Sequence, residues 1–115
     1  MKTTKKQFEE FKKWVYFYQE KFGLQEYKIY VKWKKLEDRY ACNNYGVLGR
    51  VSAICFSTEL SEEDFEYCNP QEHAKHEVIH LLLAELFGFS GERYVSKEHL
   101  ETCEEGIVRK LEKLL

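Results

Sequence analysis

Residues 72–88 read EHAKHEVIHLLLAELFG, and the reading of this stretch organises the rest of the chain. Its start is punctuated by Asn69 as a helix N-cap, Pro70 at the first helical position and Glu72 three residues after the cap. Gly88 is a natural stop. The pattern predicts a helix from Pro70 to Phe87. On a wheel at about 100° per residue, Val78, Ile79, Leu81, Leu82, Leu83, Ala84, Leu86 and Phe87 leave almost no polar side, so the second half should be buried all round. Inside it, His76, Glu77 and His80 spell H-E-x-x-H. Desolvating an unpartnered polar side chain costs roughly 2–7 kcal/mol, so three such groups on a core helix need a compensating interaction.

A divalent metal ion supplies one. His76 and His80 stand one turn apart on one face, the spacing that brings two imidazole nitrogens to a single tetrahedral ion. Glu77 lies beside that line and is placed to take a proton from a water that the metal acidifies. A third ligand must come from elsewhere. In SKEHLETCEEGIVRKLEKLL, residues 96–115, a helix from about Ser96 has Leu100, Cys103, Ile107, Val108, Leu111, Leu114 and Leu115 as its apolar stripe. Glu104 projects within that stripe, whereas Glu101, Glu105 and Glu112 point towards solvent, so Glu104 is the expected ligand and Glu105 its rival. A Glu104 paired with a lysine or arginine is the ordinary alternative. His73 is expected at the surface or behind the site, and His99 on a different face.

Upstream, Phe8, Phe11, Val15, Tyr18 and Phe22 recur at helical steps and stop at Gly23, which predicts an amphipathic helix from Thr4 to Phe22. In YKIYVKWKK, Tyr27, Ile29, Val31 and Trp33 alternate with mostly lysines, the period of a half-buried strand. Residues 40–45 form a short second strand interrupted at Asn43-Asn44, and RVSAICFST a third; LSEEDFEYC reads as a loop with a helical turn. The fold class expected is α+β, one domain over residues 1–115: an N-terminal helix, a small, mainly antiparallel three-stranded sheet, the H-E-x-x-H helix and a C-terminal helix.

These features resemble the zincins of gluzincin type, metallopeptidases with H-E-x-x-H on one helix and a glutamate ligand on a later one. The chain is similar in particular to small metallopeptidase-like proteins of bacteriophages and prophages, whose second motif is an E-E pair running into an apolar helix, as in EEGIVRKLEKLL. The likeness covers His76 to Leu115 well and the N-terminal part only by element order. It implies Zn2+ held by His76, His80 and Glu104, Glu77 as general base, and a sheet edge, expected in GRVSAICFS, that pairs with an extended substrate. Tyr94, between the two helices, is the candidate oxyanion donor. Val108 stands where better-known gluzincins often carry an Asp that orients a histidine. The metzincin pattern is excluded, because Leu83 and Leu86 occupy its Gly and His positions.

Composition narrows the classes further. With 43% hydrophobic and 33% charged residues the chain has globular values, and no apolar run reaches membrane-spanning length. Acidic residues interrupt the start where a signal peptide would be apolar, which makes a cytoplasmic location and no membrane partner the expectation. Four cysteines without a C-x-x-C pair are expected as buried free thiols. The leading function is a zinc-dependent peptidase acting on a protein or peptide. The alternatives are a metal-binding or peptide-recognition module without catalysis, and a SprT-like nucleic-acid-associated protease using Lys28, Lys32, Lys34 and Lys35 against phosphates, although a net charge of -2 gives no global pull towards nucleic acid.

Overall fold

The structure, a computed structural model, describes residues 1–86 and 96–114. Helix α1, Lys5–Lys21, begins with a complete capping box: Thr4 Oγ1 accepts from the Gln7 amide at 3.1 Å, and Gln7 Oε1 accepts from the Thr4 amide at 2.8 Å. It ends where Gly23 takes φ +69, a conformation costly for any side chain. The Leu24 amide then reaches the Gln19 carbonyl and the Gly23 amide the Glu20 carbonyl, the two bonds of a Schellman stop. Phe11, Val15, Tyr18 and Phe22 are buried along one side, as the helical spacing requires.

Three strands follow: β1, Lys28–Lys34; β2, Ala41–Gly46; and β3, Val51–Ser57. Their order is β1-β3-β2, with β1 parallel and β2 antiparallel to β3. The sheet is therefore mixed rather than mainly antiparallel, and GRVSAICFS is its centre rather than its edge. The reason is burial. A central strand gives up both flanks to neighbours, and β3 is the most apolar of the three, with Ile54 and Phe56 wholly enclosed. The lysine-bearing β1 and the asparagine-bearing β2 take the edges, where polar residues face water and discourage further pairing. Asn43-Asn44 does not interrupt β2, for reasons that involve the site.

A short helix α2, Glu62–Glu66, capped by Ser61, replaces the loop with a turn. Helix α3, Pro70–Leu82, starts as the sequence reads, with Asn69 Oδ1 accepting from the Glu72 amide at 3.3 Å. It stops at Leu83 instead of Phe87, and residues 84–86 begin a further helical turn. Nor is it buried all round: Ile79 and Leu83 are 37% and 41% exposed. Ala74, Val78, Leu81 and Leu82 face the core with α1 and the sheet, and one side stays open to water. Helix α4, Lys97–Glu112, capped by Ser96, has no buried residue; it leans on the body through Ile107, while Lys110 Nζ donates to the Gly23 carbonyl at 3.0 Å and faces Glu26 at 3.4 Å.

Tyr27 joins α1 to β1 and is buried at 3% exposure. Its hydroxyl has no hydrogen-bond partner among the described residues. Burial, with Glu85 adding to it, pushes the phenol up to about 12. Since the unfolded phenol titrates near 10, its share of stability is complete below about pH 10 and is lost as pH rises towards 12. Thermal melts between pH 9 and 11.5 should therefore show a falling midpoint, and Tyr27→Phe should flatten that fall; an unchanged slope would remove Tyr27 as its origin.

Candidate functional site

The H-E-x-x-H residues sit on α3 where it passes under the edge strand β2. His76 and His80 are exposed, not enclosed, while Glu77 between them is 9% exposed. The expected burial is thus inverted: the imidazoles form the rim and the carboxylate forms the floor. The helix phase explains this, because Glu77 shares the core-facing side with Ala74, Val78 and Leu81, one turn before and after it. The Nε2 atoms of His76 and His80 approach to 3.2 Å, with their rings at 79°. Two nitrogens bound at 2.0–2.1 Å to one tetrahedral ion stand roughly 3.3 Å apart, so the pair already holds the spacing of two zinc ligands.

Burial raises the Glu77 carboxyl above the ordinary glutamate range, opposed by the charges of His76, His80 and Arg39. A carboxylate moved in that direction is a stronger base. Its own backbone carbonyl accepts from Asn43 Nδ2 at 3.0 Å, and Asn43 Oδ1 accepts from the buried Ser52 hydroxyl at 2.6 Å. This chain runs from the central strand through the edge strand to the middle of the H-E-x-x-H motif. It also accounts for Asn43, expected from sequence to interrupt the strand: its side chain bonds a helix carbonyl instead of breaking the ladder.

Residues 41–45 of β2, with Asp38 and Arg39, His76, Glu77 and His80, line an open cleft of about 540 Å³. A second cleft, which shares His76 and Glu77 with the first, is also lined by Asp38, Arg39, Tyr40, Glu72 and His73. Asp38 has φ +55, unusual for a residue with a side chain, and this bend delivers Arg39 to both clefts. Tyr40 anchors the bend by stacking on His73, with ring centroids 3.9 Å apart. His73 is accordingly half-buried behind the site; burial, then His76, hold its imidazole below the ordinary range, and its Nε2 has no partner among the described residues. The sequence carried no signal for Arg39. Its role depends on the turn between β1 and β2.

The other expected site residues stand apart. Glu104 is exposed on α4, so its expected place on a buried face is corrected: the helix packs through Ile107 and Lys110, and no residue of it is buried. His99 and Cys103 line a different cavity with Leu24, Leu81 and Leu82. Among the described residues, no three His, Cys, Asp or Glu side chains are gathered as a metal site. The donor set in place for an ion is therefore His76 and His80, with Glu77 adjoining. Tyr94 lies outside the described residues. Among the described residues, no helix is long and apolar enough to cross a membrane. Comparison with protein-family models, with curated proteins and with solved structures finds no match.

Proposed function

We propose that the chain is a zinc-dependent metallopeptidase of zincin type, hydrolysing peptide bonds with Glu77 as general base. The observation that carries this reading is the approach of the two imidazole Nε2 atoms to 3.2 Å directly beside a buried carboxylate, in a cleft along a sheet edge. His76 and His80 hold the ion, and Glu104 is the third protein ligand that the gluzincin resemblance assigns. A zinc ion held there would supply Lewis-acid chemistry to a water and to the scissile carbonyl. Glu77 accepts the proton at its carboxylate and delivers it to the leaving amine. β2 offers its free edge to an extended peptide, and Asn43 holds that strand against α3. Arg39 supplies a cationic donor at the cleft for the oxyanion, the role expected of Tyr94.

The second reading is a metal-binding module without hydrolysis. The exposure of Glu104 and the two-histidine donor set favour it over hydrolysis, since a catalytic zinc is held by three protein ligands beside its open position. Metal analysis separates site from accident. The purified chain is expected to bind one zinc, and His76→Ala or His80→Ala to lose it. Glu104→Ala should weaken zinc far more than Glu105→Ala. Absence of stoichiometric zinc in the wild-type chain would overturn both readings, and equal affinities for the two glutamate variants would remove Glu104 from the ligand set.

A further inference from the structure

Cys42 and Cys55 are direct partners in the β2–β3 ladder. The neighbouring bond from the Ser57 amide to the Tyr40 carbonyl, at 2.9 Å, marks residues 40 and 57 as a hydrogen-bonded pair. Two residues on, residues 42 and 55 fall at the same kind of position, where Cα atoms stand about 5.5 Å apart. That separation lies within the range a disulfide spans. The two side chains also point to the same face, the one opposite the α3-facing Asn43 and Ser52.

Their surroundings differ in a useful way. Cys55 is 1% exposed in the central strand, whereas Cys42 is half-buried in the edge strand, its side chain on the sheet face away from His76, Glu77 and His80. Cys42 is therefore the thiol that an incoming molecule reaches, and Cys55 the one that meets only Cys42. Burial, and then Cys42 beside it, hold the Cys55 thiol above its ordinary range, while Lys34 and Lys32, the latter its other ladder partner, oppose that from this side of the sheet. Cys68 and Cys103 lie on other elements, on the approach to α3 and on α4.

We propose that Cys42 and Cys55 form a reversible thiol-modification site, taking a small-molecule disulfide such as oxidised glutathione and closing to a cross-strand disulfide. The Cys42 thiolate attacks one sulfur of glutathione disulfide, forming a mixed disulfide and releasing one glutathione thiolate. The Cys55 thiol then loses its proton and attacks Sγ of Cys42, expelling the second glutathione thiolate. Both protein thiols are oxidised and one glutathione disulfide is reduced to two glutathiones. In a ladder pair the Cβ atoms begin about 4.5–5.5 Å apart and must close towards ~3.8 Å. The bond consequently stores strain, and strained disulfides are the readily reduced ones. It would tie the edge strand to the sheet centre one residue from Asn43, and so change the stiffness of the wall along the cleft. This inference does not depend on metal binding or on hydrolysis.

The test is to incubate the Cys68→Ser/Cys103→Ser chain with a mixture of reduced and oxidised glutathione and to read its intact mass, with a non-reducing tryptic map. The expected product has lost two hydrogens, joins the peptides 40–50 and 51–75, and reverts on adding excess reduced thiol. Cys42→Ser in the same background should leave Cys55 unmodified. The wild-type chain should give the same 42–55 linkage in preference to any link with Cys68 or Cys103, which guards against a variant that is misfolded. A chain that stays fully reduced, a stable glutathionyl group on Cys42, or links scattered over all four cysteines would overturn the proposal.

Discussion

Glu77→Gln is expected to lower kcat/KM on an unstructured peptide by about 10²–10⁴-fold, the range that a positioned general base contributes, while zinc affinity stays nearly unchanged. The substitution keeps the size of the side chain and its place on the floor of the cleft, but the amide cannot accept a proton. Burial between two exposed histidines is what gives the position its leverage: a glutamate in open water would be a weaker base, and a glutamate without its helix held to β2 by Asn43 would be less well aimed. The two measurements must diverge. Hydrolysis that persists in Glu77→Gln would remove the residue as base, whereas joint loss of zinc and activity would show it acting on the metal rather than on the proton.

Phe56→Ala carries the largest expected cost to the fold. Phe56 is wholly enclosed in β3, and its ring lies on that of Phe11 in α1 with centroids 4.9 Å apart. Truncating such a side chain removes its transfer energy and leaves a cavity that the sheet and helix cannot both close, a loss of about 3–5 kcal/mol. Against a whole-domain stability of about 5–15 kcal/mol, this should lower the thermal midpoint by roughly 12–20 °C. Tyr30→Ala, on the same sheet but 45% exposed, should move it by a few degrees at most. Similar shifts for the two variants would show that the Phe11–Phe56 stack is not the centre of the core.

The parts that could be read from residues alone are those governed by local rules. Thr4 and Gln7, Asn69 and Pro70, and Ser96 punctuate helix starts through bonds that span three residues, and α1, α3 and α4 begin where these residues stand. Alternation likewise located β1, and a run of β-branched and apolar residues located β3. The expectations that failed all required knowing what lies across from a residue. The strand order put the most apolar strand in the middle and turned the expected edge into the centre. Histidines expected in the core came to the rim, because among the described residues nothing covers that side of α3.

The sequence by itself determined an α+β chain with three punctuated helices and a helical turn within LSEEDFEYC, where the short helix Glu62–Glu66 stands, and an H-E-x-x-H motif whose two imidazoles must share a face. Those facts follow from backbone geometry, which repeats every 3.6 or 2 residues. Tertiary structure alone decided that Glu77 is the buried member of the motif, that Asn43 and Arg39 join it from β2 and the turn before it, and that Cys42 lies opposite Cys55. Strand register and helix docking are set by competition for burial among segments distant in the chain, and no local pattern encodes the winner.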